Sequence, residues 1–204
     1  MRIKFGYTLA ETLITLLIIG IIAAVTLPSL QKTTGNKFET MRIKCAYILE
    51  QTIDQMLDDD TLYPQSNSEA SIGLAKTSAV KVAGVTYQGN TKFCEIFASK
   101  LNKGPHSTVD CSNSNKKTFT SADGVDWYLP ISNFNDKVLI HFDVNGQDED
   151  PNCASHGNED SCPKPDLFSY YLTPLGKLYP ATNCGFSYRS NGQINVSCTG
   201  NDAY

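Results

Sequence analysis

The feature that most limits how this chain can fold is a charge-free stretch of 20 residues, 12–31. A helix of that length reaches about 30 Å, which is the thickness of the hydrocarbon core of a bilayer. Two cations, Arg2 and Lys4, precede the stretch, and this order predicts a cytoplasmic N-terminus. We therefore expect a transmembrane helix at about 12–31. Its apolar residues include Leu13, Ile14, Leu16, Leu17, Ile18, Ile19, Ile21, Ile22, Ala23, Ala24, Val25 and Leu27.

Two simpler interpretations of this stretch leave one residue unexplained. A secretory signal peptide has a shorter apolar core, and no small-x-small cleavage site follows the stretch before Pro28. A plain signal anchor fits the length. Neither explains Glu11, because a carboxylate within an apolar membrane helix costs up to roughly 3 kcal/mol and normally has a partner. No basic residue lies within the stretch, so we expect that partner to come from elsewhere.

The residues around Glu11 form a recognisable pattern. The chain reads GYTLAETLI at 6–14 and continues as an Ile-rich run to Pro28. This segment resembles the N-terminus of type IV pilin and type II secretion pseudopilin precursors. In that family a short basic leader ends in Gly, an aromatic residue follows, and a Glu lies five positions into the mature chain. Gly6, Tyr7 and Glu11 match these positions, with Tyr7 where Phe is commoner.

The resemblance implies a role for each matching residue. A prepilin peptidase would cut between Gly6 and Tyr7, and the new amino group of Tyr7 would be N-methylated. In the filament, Glu11 would pair with the Tyr7 amine of a neighbouring subunit, and such a buried pair sets register more than it stabilises. Pro28 would kink the helix. The expected domains are a leader at 1–6, an N-terminal helix at 7–60 and a globular head at 61–204.

The function that the resemblance implies is structural. We expect a subunit of a type IV pilus or a type II secretion pseudopilus, held in the inner membrane as a single-pass protein with its head outside, and later part of a periplasmic or cell-surface filament. The implied partners are prepilin peptidase, other pilin or pseudopilin subunits, the inner-membrane assembly platform and the lipid bilayer. The alternative is a membrane-anchored exported binding domain that does not polymerise.

Catalysis and nucleic-acid binding find little support. No Gly-x-Ser-x-Gly, His-Glu-x-x-His or phosphate-binding glycine loop is present, so we do not expect an enzyme. The net charge of -4 leaves no surplus of cations to neutralise phosphates, so bulk nucleic-acid binding is not expected. His141 lies in an alternating segment opposite Ile140 and Phe142, and is expected to be a solvated sheet residue.

A second helical segment follows the apolar stretch. Gly35 and Asn36 are expected to weaken the helix between the apolar stretch and this second segment. The three aspartates at 58–60 carry charges that are unfavourable at the C-terminal end of a helix, so the second segment should end there. The segment at about 36–58 is predicted to be an amphipathic stalk packed on the head. Its apolar residues recur at spacings of three and four: Phe38, Met41, Cys45, Leu49, Ile53 and Met56.

The remainder predicts an α+β head, in which the long N-terminal helix packs on an antiparallel β-sheet stapled by disulfides. A loop is expected at 66–81 and a short helix at 90–102. Strands are expected at 117–121 and 125–129 as a hairpin, at 137–144, at 167–173 and on both sides of a turn at 190–192.

Cysteine usage indicates an oxidising compartment. Six of the seven cysteines lie in the head, and six cysteines allow 15 connectivities. In the last hairpin a three-residue loop places Cys184 opposite Cys198. The other pairs expected from proximity are Cys153–Cys162 and Cys94–Cys111. A zinc site of Cys153, His156 and Cys162 is an alternative. Cys45 is expected to be a buried free thiol, although a bridge from it to the head stays open.

One acidic loop has the composition of a cation site. Asp143 and Asn145 stand at alternate positions before Gly146, and Asp166 follows later. Oxygen ligands of this kind suit Ca²⁺, although the spacing of an EF-hand is incomplete. The alternative is an acidic turn in which Asn-Gly fits a positive φ. The composition of this loop indicates Ca²⁺ as a candidate cofactor, with Asp143, Asn145 and Asp166 as candidate ligands.

Overall fold

The computed structural model describes residues 9–33, 37–65, 71–131, 134, 136–154 and 162–199. The chain divides into two compact units, Met1–Lys37 and Phe38–Tyr204. In the first unit, helix α1 covers Leu9–Thr33 and includes Pro28 within its backbone. The predicted cleavage site at Gly6 and Tyr7, and the predicted weak point at 35–36, lie outside the described residues.

The prediction of a membrane span is corrected here. Within the part of the chain that the structure describes, no helix combines the length and the apolar character that a bilayer crossing needs. Side chains are described for 10–22 of α1, fewer than the roughly 20 apolar residues that a bilayer crossing needs. The transmembrane helix at about 12–31, the membrane-span part of the predicted fold class and the single-pass inner-membrane localisation are therefore wrong.

Among the described residues, the second unit contains two α-helices, two short 3₁₀ helices (Gly73–Ala75 and Gly89–Thr91) and nine strands. The α-helices are α2 (Lys37–Leu57, whose first residue belongs to the first unit) and α3 (Lys92–Lys100). The strands are β1 (Val80–Val82), β2 (Val85–Tyr87), β3 (Phe119–Thr120), β4 (Asp126–Tyr128), β5 (Val138–Asp143), β6 (Leu167–Leu172), β7 (Leu178–Pro180), β8 (Cys184–Tyr188) and β9 (Ile194–Cys198). All strand pairs are antiparallel, so the α+β class of the head is confirmed.

Helix α2 is the predicted amphipathic stalk. It buries one face against the head through Cys45, Leu49, Ile53 and Met56, none of which is exposed. The helix ends at Leu57, where the amide of Asp58 still donates to the carbonyl of Asp54 at 2.9 Å. The aspartate run therefore follows the helix end, as its charge predicts.

The central sheet has five strands in the order β3-β4-β5-β6-β7. Its long pair is β5 and β6, in register from Val138↔Leu172 to Asp143↔Leu167. One face carries Trp127 and Phe142, whose rings lie 5.3 Å apart, and packs into the same core as α2 and α3. The predicted hairpin around 122–124 is confirmed as β3 and β4. The expected loop at 66–81 is wrong in its last part, because β1 begins at Val80.

The hairpin of β8 and β9 covers the other face of the sheet. Phe186 packs on Tyr128 and joins a small cluster with Leu167 and Ile194. The loop is the expected one, since the amide of Arg189 donates to the carbonyl of Gln193 at 2.8 Å.

The disulfides follow from this arrangement. Cys184 lies opposite Cys198 in the β8–β9 register and is bonded to it. The structure also has the predicted pairs Cys94–Cys111 and Cys153–Cys162, so the zinc alternative at Cys153 and Cys162 is excluded in this state. Cys45 is a buried free thiol, as expected, and burial together with the charge of Asp123 raises its pKa to about 12.

Candidate functional site

The first candidate site is the surface of α1. The large apolar side chains described there are exposed by 50–65%, and they occupy every side of the helix rather than one stripe: Leu13, Ile14, Leu16, Leu17, Ile18, Ile19, Ile21 and Ile22. Glu11 lies in the first turn of the same helix, where a carboxylate favours the helix dipole. A helix that is apolar on all sides is stable only when another apolar surface covers it.

The second candidate site is at the end of β5 in the head. Asp143 is fully buried, and its Oδ1 accepts hydrogen bonds from the amides of Asn145 at 3.1 Å and Gly146 at 3.0 Å. Its Oδ2 accepts from the hydroxyl of Tyr188 at 2.6 Å. The side chain of Asp143 therefore closes its own turn and also fastens the β8–β9 hairpin.

Asp166 immediately precedes β6, the strand that pairs with β5, and lies beside Asp143. The amide of Val144 donates to the carbonyl of Asp166 at 3.1 Å, so the two aspartates are held by strand pairing. Asp166 is also fully buried, and its carboxylate accepts from the amides of Asn152 and Cys153, each at 2.8 Å. The disulfide of Cys153 thereby anchors the loop that carries Asn152.

Two side-chain amides complete the cluster. The Nδ2 of Asn145 donates to the carbonyls of Glu149 and Asp150, each at 3.1 Å, and the Nδ2 of Asn152 donates to the carbonyl of Gln147 at 2.9 Å. The Oδ1 atoms of Asn145 and Asn152 are buried and accept no hydrogen bond from any described residue. A buried oxygen without a donor is costly, so each of these two has the capacity to accept from water or to coordinate a cation.

The electrostatics of the cluster also favour a cation. Burial, and to a smaller degree the charge of Asp166, raises the pKa of Asp143 to about 6, against the opposing hydrogen bond of Tyr188. Burial likewise raises the pKa of Asp166, while the amides around it, including the Asn145 side chain, oppose the shift. Two carboxylates whose charges destabilise each other would both gain from a nearby positive charge.

The predicted metal ligands are thus brought together, but they are not a conventional metal centre. In the described ranges, no group of three or more His, Cys, Asp or Glu side chains is placed to hold a metal ion. The oxygen donors here are two carboxylates and two amides instead. Such neutral and charged oxygens suit Ca²⁺ rather than a transition metal.

His141 corrects the expectation of a solvated side chain. It is 5% exposed, its Nδ1 lies 2.7 Å from Oγ of Ser169, and its ring centroid lies 5.1 Å from that of Phe186. Burial lowers its pKa to about 4, so the ring is neutral near pH 7. The alternation of β5 correctly separates two faces, but the β8–β9 hairpin covers the face that was expected to meet water.

A cleft of about 380 Å³ lies between α2 and β6. The guanidinium of Arg42 on its wall donates to Glu39 at 2.8 and 2.5 Å and to the hydroxyl of Tyr170 at 2.5 Å. It also lies 5.9 Å from the ring centroid of Phe168. The contacts of Arg42 with Tyr170 and Phe168 therefore join α2 to β6 along one wall of the cleft.

Sequence reasoning missed the part of Tyr188 in the acidic cluster. The only available signal was its position in β8, two residues after Phe186, which places both side chains on the face toward the sheet. The hydrogen-bond partner of Tyr188, Asp143, is 45 residues away in the chain, and no local sequence pattern predicts a contact over that separation.

Comparison with known proteins adds no further assignment, since no family model, curated protein or solved structure matches the chain.

Proposed function

We propose that this chain is a structural subunit of a pilin-like filament, in which the apolar helix α1 packs against the same helix of neighbouring copies. The observation that carries the proposal is the exposure of apolar side chains on every side of α1 over 10–22. Copies of the same helix offer a surface of matching composition and length. The resemblance of residues 6–14 to prepilins supports the same assignment, with cleavage between Gly6 and Tyr7 and a role for Glu11 in subunit register.

The disulfides support a head that folds outside a reducing compartment. Three bridges close loops of 17, 9 and 14 residues in sequence separation, and such bridges are rare where thiols are kept reduced. A filament subunit works outside the cytoplasm, so the disulfides of the head are consistent with the filament role proposed for α1. Assemblies of this kind are heterologous, with one surface of a copy bound to a different surface of the next, and they do not close.

The test compares two leucines of similar exposure. Leu17 in α1 is 64% exposed and Leu175 in the β6–β7 turn is 61% exposed. We expect Leu17→Asp to abolish the sedimentable filaments formed by the full chain, and Leu175→Asp to leave them intact. Glu11→Ala should also reduce filament formation, whereas Glu11→Asp should retain part of it. A wild-type chain that stays monomeric at all concentrations would contradict the proposal and favour an exported binding domain.

We propose in addition that the acidic cluster of the head binds Ca²⁺. The observation in favour is the pair of buried, unpartnered amide oxygens of Asn145 and Asn152 beside the buried carboxylates of Asp143 and Asp166. A calcium ion coordinated by the two amide oxygens and by one oxygen of each carboxylate would relieve the repulsion between the carboxylates. It would stabilise the folded head by an amount that grows with its concentration, about 2.7 kcal/mol at 100 times the Kd.

The calcium test uses the backbone of Asn152, which has a φ of 50°. Glycine accepts this conformation, so Asn152→Gly removes the oxygen without adding strain, whereas Asn152→Asp adds a charge at the same place. We expect Ca²⁺ to raise the melting temperature of the wild type, Asn152→Asp to bind more tightly and Asn152→Gly to bind less. A melting temperature that is the same in EDTA and in millimolar Ca²⁺ would contradict the site.

A further inference from the structure

The disulfide Cys153–Cys162 lies at the edge of the acidic cluster. Cys153 is bonded to Asp166 in both directions, because its amide donates to Oδ1 of Asp166 at 2.8 Å and its carbonyl accepts from the amide of Asp166 at 3.1 Å. The amide of Leu167 donates to the same carbonyl at 3.3 Å, and the next residue, Ala154, forms a parallel bridge with Leu167. Cys153 is thereby fixed against the start of β6.

The position of Cys153 also determines that of Asn152, one of the proposed calcium ligands. The amide of Asn152 donates to Oδ2 of Asp166 at 2.8 Å, and its side-chain Nδ2 donates to the carbonyl of Gln147 at 2.9 Å. Its Oδ1 is the buried oxygen that accepts no hydrogen bond from any described residue. This oxygen lies beside the carboxylates only while the segment 152–154 stays docked on Asp166.

The disulfide shortens the connection that keeps this segment docked. Along the backbone, the residues 154–165 separate Cys153 from Asp166. Through the disulfide, the connection passes from Cys153 to Cys162 and then through 163–165 alone. A shorter connection has a smaller entropy of closure, so the bridge favours the docked segment. Without the bridge, docking depends on a few hydrogen bonds and still leaves the Oδ1 of Asn152 without a donor.

We infer that the Cys153–Cys162 disulfide controls the calcium affinity of the acidic cluster, so that the site is complete only after this bond has formed. This inference rests on the proposed calcium site. In the dithiol form, the segment that carries Asn152 is docked in only a fraction of the molecules, and the apparent affinity for Ca²⁺ falls by that fraction. In the disulfide form, the segment is docked in all of them.

The bond forms by thiol–disulfide exchange with a disulfide oxidant. The thiolate of one cysteine attacks a sulfur of the oxidant, which gives a mixed disulfide and releases one thiol. The thiolate of the other cysteine then attacks the first cysteine's sulfur and releases the second thiol of the oxidant. In total, the two cysteines lose two electrons and two protons, and the oxidant gains them and becomes two thiols.

Calcium titration of the full chain by calorimetry is the first test. We expect the double substitution Cys153→Ala and Cys162→Ala to raise the Kd for Ca²⁺ by about tenfold, as when about a tenth of the molecules have the segment docked. The matched control is Cys94→Ala with Cys111→Ala. The loop that this second bridge closes, 94–111, contains none of the proposed ligands, so its removal should leave the Kd unchanged.

Thermodynamic linkage provides a second measurement that needs no substitution. The factor by which the bridge tightens Ca²⁺ binding must equal the factor by which Ca²⁺ favours the bridge. In buffers of reduced and oxidised dithiothreitol, saturating Ca²⁺ should therefore favour the Cys153–Cys162 bond by about tenfold relative to EDTA. The Cys94–Cys111 bond should not respond. Alkylation of the free thiols followed by peptide mass spectrometry measures each bond separately.

The two proposals fail in different ways. If the wild type binds no Ca²⁺, the site itself is wrong, and the inference falls with it. If the wild type binds Ca²⁺ but the Kd is the same without the Cys153–Cys162 bridge, or rises equally in the control, only the control by this disulfide is wrong. If the variant without the bridge does not fold, the linkage measurement on the wild type decides, and an equilibrium that is the same in Ca²⁺ and in EDTA overturns the inference.

Discussion

The hydroxyl of Tyr188 donates a hydrogen bond of 2.6 Å to Oδ2 of Asp143, a carboxylate with no exposed surface. Tyr188 in turn accepts from the hydroxyl of Tyr128 at 3.2 Å. This chain of hydroxyls joins the β8–β9 hairpin to the central sheet at the edge of the acidic cluster. The contact both positions the hairpin and stabilises a buried charge, so its removal has a measurable effect on each.

Tyr188→Phe should destabilise the head by about 1.5–3 kcal/mol at pH 8, the usual range for a hydrogen bond to a charged group. The pKa of Asp143 should rise further, because the hydrogen bond that lowers it is lost. The loss of stability should therefore be smaller at pH 5, where Asp143 is protonated. Urea unfolding at the two pH values measures this, with Tyr179→Phe, at a half-exposed tyrosine, as the control. Equal losses at both pH values would contradict the role of the charge.

His141 and Asp143 should impose opposite pH dependences on stability. The folded pKa of His141, about 4, is below the ordinary value of 6.5, so the folded state binds fewer protons and stability falls as pH decreases from 6.5 to 4. The folded pKa of Asp143, about 6, is above the ordinary value of 3.8, so stability rises as pH decreases from 6 to 3.8. Each contribution amounts to about 3 kcal/mol at most, and the two largely cancel between pH 6 and 4.

Single substitutions should reveal the two slopes. His141→Gln removes the first group, so this variant should lose less stability than the wild type when pH decreases from 6.5 to 4. Asp143→Asn removes the second, so this variant should lose more. Unfolding free energies measured in urea with EDTA present, at half-unit pH steps, provide the comparison. Slopes that do not differ from the wild type would show that neither group titrates as its burial implies.

Features set by short-range geometry were predictable from the sequence. The loop between Arg189 and Gln193 determines the hairpin register, and this register alone places Cys184 opposite Cys198. The buried face of α2 follows from its spacing of apolar residues in the same way. Each of these predictions depends on residues that are close in the chain, which is why they are confirmed.

Features set by distant contacts were not predictable. The burial of His141 depends on the β8–β9 hairpin, which begins more than 40 residues later in the chain, and nothing in the β5 sequence predicts this contact. The β1–β2 hairpin was missed for a local reason, since its turn uses Ala83 at a φ of 51°, a conformation that alanine rarely adopts. In the candidate site, the ligand residues were identified from their composition, but Tyr188 required the three-dimensional structure.

Gly176→Ala should destabilise the head more than Gly84→Ala. Both glycines have nearly the same φ, +84° and +85°. Each substitution therefore destabilises the folded state by about 1–2 kcal/mol, because an L-residue must adopt a left-handed conformation. A Cβ at Gly176 would lie 2.6 Å from Cδ1 of Leu57 and 3.0 Å from Cγ2 of Ile53, whereas nothing lies within 4 Å at Gly84. Overpacking should add about 1–3 kcal/mol at Gly176 only. Chemical denaturation of both variants measures the difference, and equal losses would contradict the packing of the β6–β7 turn on α2.

Cys45 should resist alkylation until the head unfolds. Its side chain has no exposed surface, and its pKa of about 12 leaves almost no thiolate near pH 8. We expect the native, non-reduced protein to incorporate no iodoacetamide over hours, and one equivalent in denaturant. A variant in which the same thiol is exposed, Cys45→Ala combined with Tyr47→Cys, should react without denaturant and so controls for the reagent. Labelling of the native wild type at Cys45 would mean that α2 separates from the head, and its rate would report how often this happens.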